Sequence, residues 1–193
     1  MRVAALCLAA VMAFPALAAA QADPKTPAPP APRAPANVPR TPQARVHIHG
    51  QVFIGERAPD FTLDGSDGKL LRLGRFRGDW VLLVFSDRKE RLAPLAEIEA
   101  ETRSLGVRIV GICREKAHTL KAFATRDSLP FVLGADVTGE IAALYGLYDA
   151  ERSMISPGFL LADRDGMVRM ALFGQDLPPD HISRLARFAV TGL

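Results

Sequence analysis

From residue 46 onward, short continuous apolar runs alternate with segments in which apolar residues recur every three or four positions. "RVHIHGQVF" alternates and reads as an extra edge strand. "FTLDGSDGKLLRL" holds two extended runs around turn residues, a hairpin pattern. "DWVLLVF" is apolar throughout, as a strand covered on both faces must be. Across residues 94–105, Leu95, Ile98, Thr102 and Leu105 fall on one helical face. "VRIVGIC" is a second buried strand, and residues 115–127 form a helix presenting Leu120, Phe123 and Ala124. "DVTGEIAALY", residues 136–145, opens with a capping residue and reads as a short helix. "GFLLADRDGMVRMALF" is a hairpin turning at "RDG". Residues 178–191 begin Pro-Pro-Asp and form a closing helix with Ile182, Leu185, Phe188 and Ala189 inward. Two buried strands joined by one helix imply a parallel crossover, and the terminal hairpin adds antiparallel strands. The pattern predicts an α/β fold over residues 46–193. It is a three-layer α/β/α sandwich with a mixed central sheet and an N-terminal β-hairpin.

The first 45 residues break this pattern. "MRVAALCLAAVMAFPALAAAQAD" has one arginine, an apolar run and small residues before Asp23, the layout of a secretory signal peptide over residues 1–22. Pro15 and the small-residue exit predict cleavage after Ala20 or Ala22 rather than an anchor helix, so no stable membrane span is expected to remain. Residues 23–45 carry eight prolines and no hydrophobic period, which predicts an extended, disordered linker. The expected location is therefore the periplasm or cell envelope.

Charge follows the same division. The formal net charge is +3. Lys25, Arg33, Arg40 and Arg45 face only Asp23 in the linker, whereas residues 46–193 hold 19 basic and 20 acidic side chains. The excess positive charge thus lies outside the folded segment, and nothing in the charge pattern predicts nucleic-acid binding. Once the leader with Cys7 is removed, Cys113 is the one remaining cysteine. It cannot pair within its chain, so it is shielded, reactive or used between two chains of a homodimer.

Three segments carry a family likeness in the same order. "GERAPDFTLDGSDGKLLRLGRFRGDWVLLVF", "LGVRIVGICREKAHTLKAF" and "LYGLYDAERSMISPGFLLADRDGMVRM" resemble the opening, the second strand and helix, and the terminal hairpin of peroxiredoxins. These are the alkyl hydroperoxide reductase/thiol-specific antioxidant proteins, or redoxins, of the thioredoxin-fold superfamily. The resemblance covers residues 55 to about 190 and implies a thioredoxin-like fold and an antioxidant thiol chemistry. It also implies a Pro, Thr and Cys after the first buried strand and an arginine from the terminal hairpin. A free thiol is a poor nucleophile at neutral pH, so that chemistry needs a neighbouring cation to lower its pKa. Here the loop runs Ser86, Asp87, Arg88, Lys89, Glu90, Arg91, Leu92, Ala93, Pro94, with no Cys and no Thr. The position of the hairpin arginine holds Pro157. In this respect Pro157 is similar to the proline of exported thioredoxin-like reductases, which implies a cis bond, although their Cys-x-x-Cys is also absent. The site is read as a degenerate redox centre, with Ser86, Asp87, Arg88 and Pro157 as structural residues at its edge.

Remaining candidate chemistry centres on Cys113, which ends its strand where the C-termini of parallel strands meet. Beside Ser86 and Asp87, it would be a catalytic thiol if Arg114, Lys116 and Arg88 turned toward it; otherwise it is a small core residue. His47 and His49 share one strand face, but neither His118 nor His181 completes a recognisable metal set, so no metal and no cofactor are expected. Asp87 and Glu90 resemble a capping box, yet Pro94 disfavours a helix running through it. A short turn over 87–92 is expected instead, followed by a helix with Pro94 in its first turn. Two functions follow: an exported binding or accessory module serving a protein partner, or a peroxidase or thiol oxidoreductase that uses Cys113 with a thiol reductant.

Overall fold

A computed structural model describes residues 52–192. The leader, the proline-rich linker, His47, His49 and most of the alternating segment lie outside the described residues. Val52 and Phe53, at the end of that segment, are not in a strand.

Strands β1 (Thr62–Gly65) and β2 (Leu70–Arg72) form the first hairpin. β3 (Trp80–Ser86) leads through two 3-10 turns, Lys89–Arg91 and Ala93–Leu95, into α1 (Ala96–Ser104). β4 (Val107–Cys113), α2 (Ala117–Arg126), β5 (Val132–Ala135) and α3 (Glu140–Leu144) follow. A two-stranded ribbon, β6 (Tyr148–Asp149) with β7 (Met154–Ile155), precedes the hairpin β8 (Gly158–Ala162) and β9 (Val168–Phe173). α4 (Pro179–Thr191) closes the chain.

Seven strands form one mixed sheet in the order β2-β1-β5-β4-β3-β8-β9. β3, β4 and β5 run parallel, while β1 and β8 flank them antiparallel. Alternation along the strands splits the core in two. Leu82 and Val84 of β3, with Ile109 and Cys113 of β4, share one cluster with Leu95, Ile98, Leu120, Phe123 and Ile182 of the helical side. Val81, Leu83 and Phe85, with Val110 and Ile112, pack on the other face with Ala142, Tyr145 and Ile155. Helices α1, α2 and α4 thus cover one face, and α3 with the flanking loops covers the other.

The expected fold class and the two hairpins are present. The residue pattern did not reveal β5, which lies between β4 and β1. Its four residues, Val-Leu-Gly-Ala, follow Pro130, and a tertiary contact defines them: Leu133 N donates to Ser66 Oγ at 3.0 Å, and Ser66 N to the Leu133 carbonyl at 2.8 Å. Phe188 is a correction. It is 60% exposed, because the buried stripe of α4 runs through Ile182, Ser183 and Ala186 and places Phe188 on the opposite face with the exposed His181 and Arg184. The cis bond expected at Pro157 is a second correction, as no described peptide bond is cis. Trans is the lower-energy form of an X–Pro bond. Here the flanking backbone enters β8 extended, with Ser156 N donating to the Leu147 carbonyl at 2.7 Å and Gly174 N to the Pro157 carbonyl at 2.8 Å.

Candidate functional site

The C-terminal ends of β3, β4 and β5 meet along one edge. Register places Ser86 beside Cys113, and Cys113 beside Ala135. Pro157 precedes Gly158, which pairs with Phe85, so the Pro157 segment lies across from the end of β3. The structure therefore brings Ser86, Asp87, Cys113 and Pro157 to one neighbourhood, with Arg88 leading away on the surface.

Hydrogen bonds internal to the chain close this junction. Ser86 Oγ donates to the Arg88 carbonyl at 3.0 Å and accepts from Arg88 N at 3.3 Å. Asp87 does not cap a helix. Its Oδ1 accepts from Ile155 N at 3.2 Å, fastening the loop to β7, while its carbonyl accepts from the Cys113 thiol at 3.7 Å. The chain then turns through the two 3-10 segments, with Pro94 inside the second, before α1 begins at Ala96. Proline suits such a first turn because its missing N–H would be unpaired there anyway. Glu97 and Glu99 follow in the first turn of α1, where carboxylates complement the helix dipole.

Cys113 is fully buried. Burial above all, with the carboxylates of Glu115 and Asp87, pushes its thiol up to about 12. The cations expected to oppose this do not. Arg114 contributes only its backbone N–H to the sulfur, while its guanidinium lies over the Tyr148 ring, 6.0 Å from the centroid. Lys89 lowers the thiol only weakly, and it is already bound by Glu115 at 3.0 Å and Glu90 at 3.2 Å. A thiol in this state holds almost no thiolate at neutral pH.

The residue pattern did not single out the Lys89–Glu115–Glu90 network. Its only signal is that Glu115 lies two residues beyond Cys113, at the same strand end. Asp136 is the capping residue expected of the segment 136–145. Its buried carboxylate accepts from Ala142 N at 2.8 Å and Ile141 N at 3.3 Å, capping α3 across an intervening turn. Tyr145, fully buried, donates its hydroxyl to the Pro59 carbonyl at 2.6 Å, and burial raises its pKa. Among the described residues, no three His, Cys, Asp or Glu side chains are grouped as a metal would need, and no helix is long and apolar enough to cross a membrane.

Beside the junction, a groove of about 730 Å³ runs between the loop after β3 and the segment leading into α4. Its floor is Val84, Leu95, Leu177 and Ile182, and Arg88 and Arg91 stand at its rim. Cys113 does not line it.

Residues 54–171 match the family model described as the AhpC/TSA family. The chain is 28% identical over 134 residues to the selenocysteine-containing peroxiredoxin PrxU of Peptoclostridium acidaminophilum, covering 61% of this chain and 66% of that protein. It is 28% identical over 154 residues to the chloroplastic peroxiredoxin Q of Populus jackii, covering 76% and 72%. Among solved structures, peroxidoxin BcpB from Mycobacterium tuberculosis superposes with a TM-score of 0.66 at 18% identity, covering 74% of this chain and 98% of that one. The reduced 2-Cys peroxiredoxin of Plasmodium vivax gives 0.62 at 20% identity, covering 70% and 80%. These likenesses agree with the thioredoxin-like sheet described above.

Proposed function

We propose that this chain, which belongs to the AhpC/TSA family, acts as a binding or accessory module with a degenerate redox centre. One observation carries the reading: the one cysteine of the described residues is fully buried, and its thiol is pushed up to about 12. Peroxide reduction needs a thiolate that a peroxide can reach, next to donors that stabilise the departing oxygen. Cys113 has neither the charge state nor the access, and its hydrogen bond to the Asp87 carbonyl stabilises the protonated form. The loop after β3 has no thiol, and Ser86 uses its hydroxyl on the backbone of Arg88. In this proposal the junction serves the fold.

The same reading places the protein outside the cytoplasm. Residues 1–22 have the layout of a cleaved leader and residues 23–45 that of a spacer, which together support a tethered or free module in the periplasm or cell envelope. Its partner would be another protein of that compartment rather than nucleic acid, because residues 46–193 carry nearly balanced charge. A homodimer joined through Cys113 is disfavoured by the burial of that thiol.

Peroxide consumption by the full chain with added dithiothreitol tests this. The expected rate equals that of dithiothreitol alone, with no adduct from a sulfenic-acid trap on the folded protein. Turnover that disappears in Cys113→Ser would replace this reading with that of a one-cysteine peroxidase.

A further inference from the structure

We propose that residues 46–51, which lie outside the described residues, complete the sheet as an eighth strand on the free edge of β9. The inference goes beyond the reading of the chain as a binding module and does not depend on it. It starts from hydrogen-bonding groups that β9 leaves without partners.

β9 is one margin of the sheet. Gly174 N donates to the Pro157 carbonyl at 2.8 Å, and Leu172 stands opposite Phe159. Bonds in an antiparallel pair alternate along the strand, so Met170 and Leu172 bond to β8 while Ala171 and Phe173 point their N–H and C=O groups outward. Among the described residues, no hydrogen bond reaches those outward groups. Native sheets blunt such an edge with charge, proline or a cover. The opposite margin follows that rule: β2 is short, Lys69 and Arg72 are exposed at its ends, and Arg75 Nη1 donates to the Leu70 carbonyl at 3.0 Å. β9 does not. Beyond Arg169 it reads Met-Ala-Leu-Phe, apolar and half-buried.

The N-terminal side of the chain supplies the cover. Ala58 N donates to the Gly166 carbonyl at 2.9 Å and Gly55 N to the Val168 carbonyl at 2.8 Å, so residues 55–58 already run antiparallel along the outside of β9. Val168 N donates to the Glu56 carbonyl at 2.8 Å, which sets two residues against one, a bulge with Gly55 at φ +91°. The turn from Phe53 to Glu56, closed at 3.1 Å, carries the chain out of that ladder. Val52, before the turn, is back against the core, on the face that Ala171 and Phe173 also cover. Side chains alternate along a strand, so a strand running back from Val52 puts Ile48 and Val46 on that same apolar face and His47, His49 and Gln51 on the other. The length fits as well: residues 46–51 extended span about 20 Å, and residues 169–173 about 17 Å. Residues 23–45 cannot serve, because their eight prolines lack the N–H that a ladder needs.

Amide-resolved hydrogen exchange of the full chain by NMR tests the assignment. In the wild type, the Ala171 and Phe173 amides are expected to be protected along with those of Met170 and Leu172. Replacing residues 46–51 by a Gly-Ser repeat of equal length is expected to speed exchange at Ala171 and Phe173 about tenfold or more, with Met170, Leu172, β3 and β4 unchanged. Ile48→Asp is expected to act in the same way, because it sets a charge on the apolar face, and His49→Asn to leave the wild-type protection. Thermal melts establish that the variants fold. Fast exchange at Ala171 and Phe173 in the wild type, or protection that survives the Gly-Ser replacement, would overturn the proposal. Protection that survives the replacement and rises with protein concentration would assign the edge to a second copy instead. The peroxide assay of the functional reading is unaffected by either result.

Discussion

At the residue scale, Cys113 decides between the two functional readings, and its titration can be observed through stability. The folded-state pKa is raised to about 12 from an ordinary value of 9.0. Below pH 9 the thiol is protonated in both states, and its stabilising contribution is complete. Between pH 9 and about 12 the unfolded chain loses that proton while the folded chain keeps it, so stability falls as pH rises, at up to about 1.4 kcal/mol per pH unit. Cys113→Ala should therefore show a shallower alkaline loss than wild type in urea titrations at pH 8, 9, 10 and 11. Equal slopes would mean that the thiol is not shielded. Tyr145, raised in the same direction by its burial, is present in both proteins and cancels in the comparison. A second residue prediction concerns Arg114, whose Nη1 is buried without a hydrogen-bond partner. An unpaired buried donor carries its desolvation cost without return, so Arg114→Met should be neutral or stabilising. A loss of more than about 1 kcal/mol in urea would show that its stacking on Tyr148 outweighs that cost.

At the element scale, the long periodic segments and the hairpins marked by turn residues were legible in the residue pattern, and β5 and the β6–β7 ribbon were not. Ile98 and Thr102 are buried on α1, with Leu95 in the 3-10 turn before it, and Leu120 and Phe123 on α2, as helical spacing requires. β3 and β4 announce themselves as continuous apolar runs. β5 and the β6–β7 ribbon have four residues or fewer per strand, too few to show a period, and the partners of β5 lie far along the chain. The site was legible in the same uneven way. Which residues meet at the sheet edge followed from strand order, but the direction of the Asp87 and Arg114 side chains depended on Ile155 and Tyr148, contacts no local pattern encodes. The packing of α4 on α1 illustrates such a contact and carries a prediction. Glu101 accepts from Ser183 Oγ at 2.6 Å and from Arg187, and the two bonds hold its carboxyl below the usual carboxylate range. Its contribution is present above the unfolded carboxylate pKa and is lost as pH falls through the lowered folded value. Glu101→Gln should thus flatten the acid limb of stability, measured by urea unfolding between pH 3 and pH 6. The effect is small, because the carboxylate is partly solvated. An unchanged acid limb would show that the helices are held by Ile182 and Ala186 alone.

At the scale of the whole molecule, stability and accessibility are unevenly distributed over the sheet, and this has a measurable consequence. β3, β4 and β8 lie inside the sheet with helices or loops on both faces, and Leu82, Leu83, Val110, Leu160 and Leu161 are fully buried. Opening these strands exposes both core clusters at once, so their amides should exchange only through global unfolding. The β6–β7 ribbon lies outside the main sheet, with two residues in each strand. It is fastened to the rest through Ile155 N on Asp87 Oδ1 and Ser156 N on the Leu147 carbonyl. Leu147 and Ile155 anchor it in the core, but residues 148–154 between them are half-buried or exposed, so local opening of the ribbon should be more frequent than that of β3 or β4. Hydrogen exchange followed by mass spectrometry should show peptides spanning 147–156 exchanging much faster than those spanning 80–86 and 107–113. Asp87→Asn, which weakens the charge on the acceptor of Ile155 N, should speed exchange in 147–156 and leave β3 and β4 unchanged. Equal protection of ribbon and sheet would mean that the junction is a rigid part of the core. Faster exchange of β4 in the same variant would mean that the seal over Cys113 depends on Asp87. In that case the variant should also react with Ellman's reagent under native conditions, which links the fastening of one loop to the silence of the thiol beneath it.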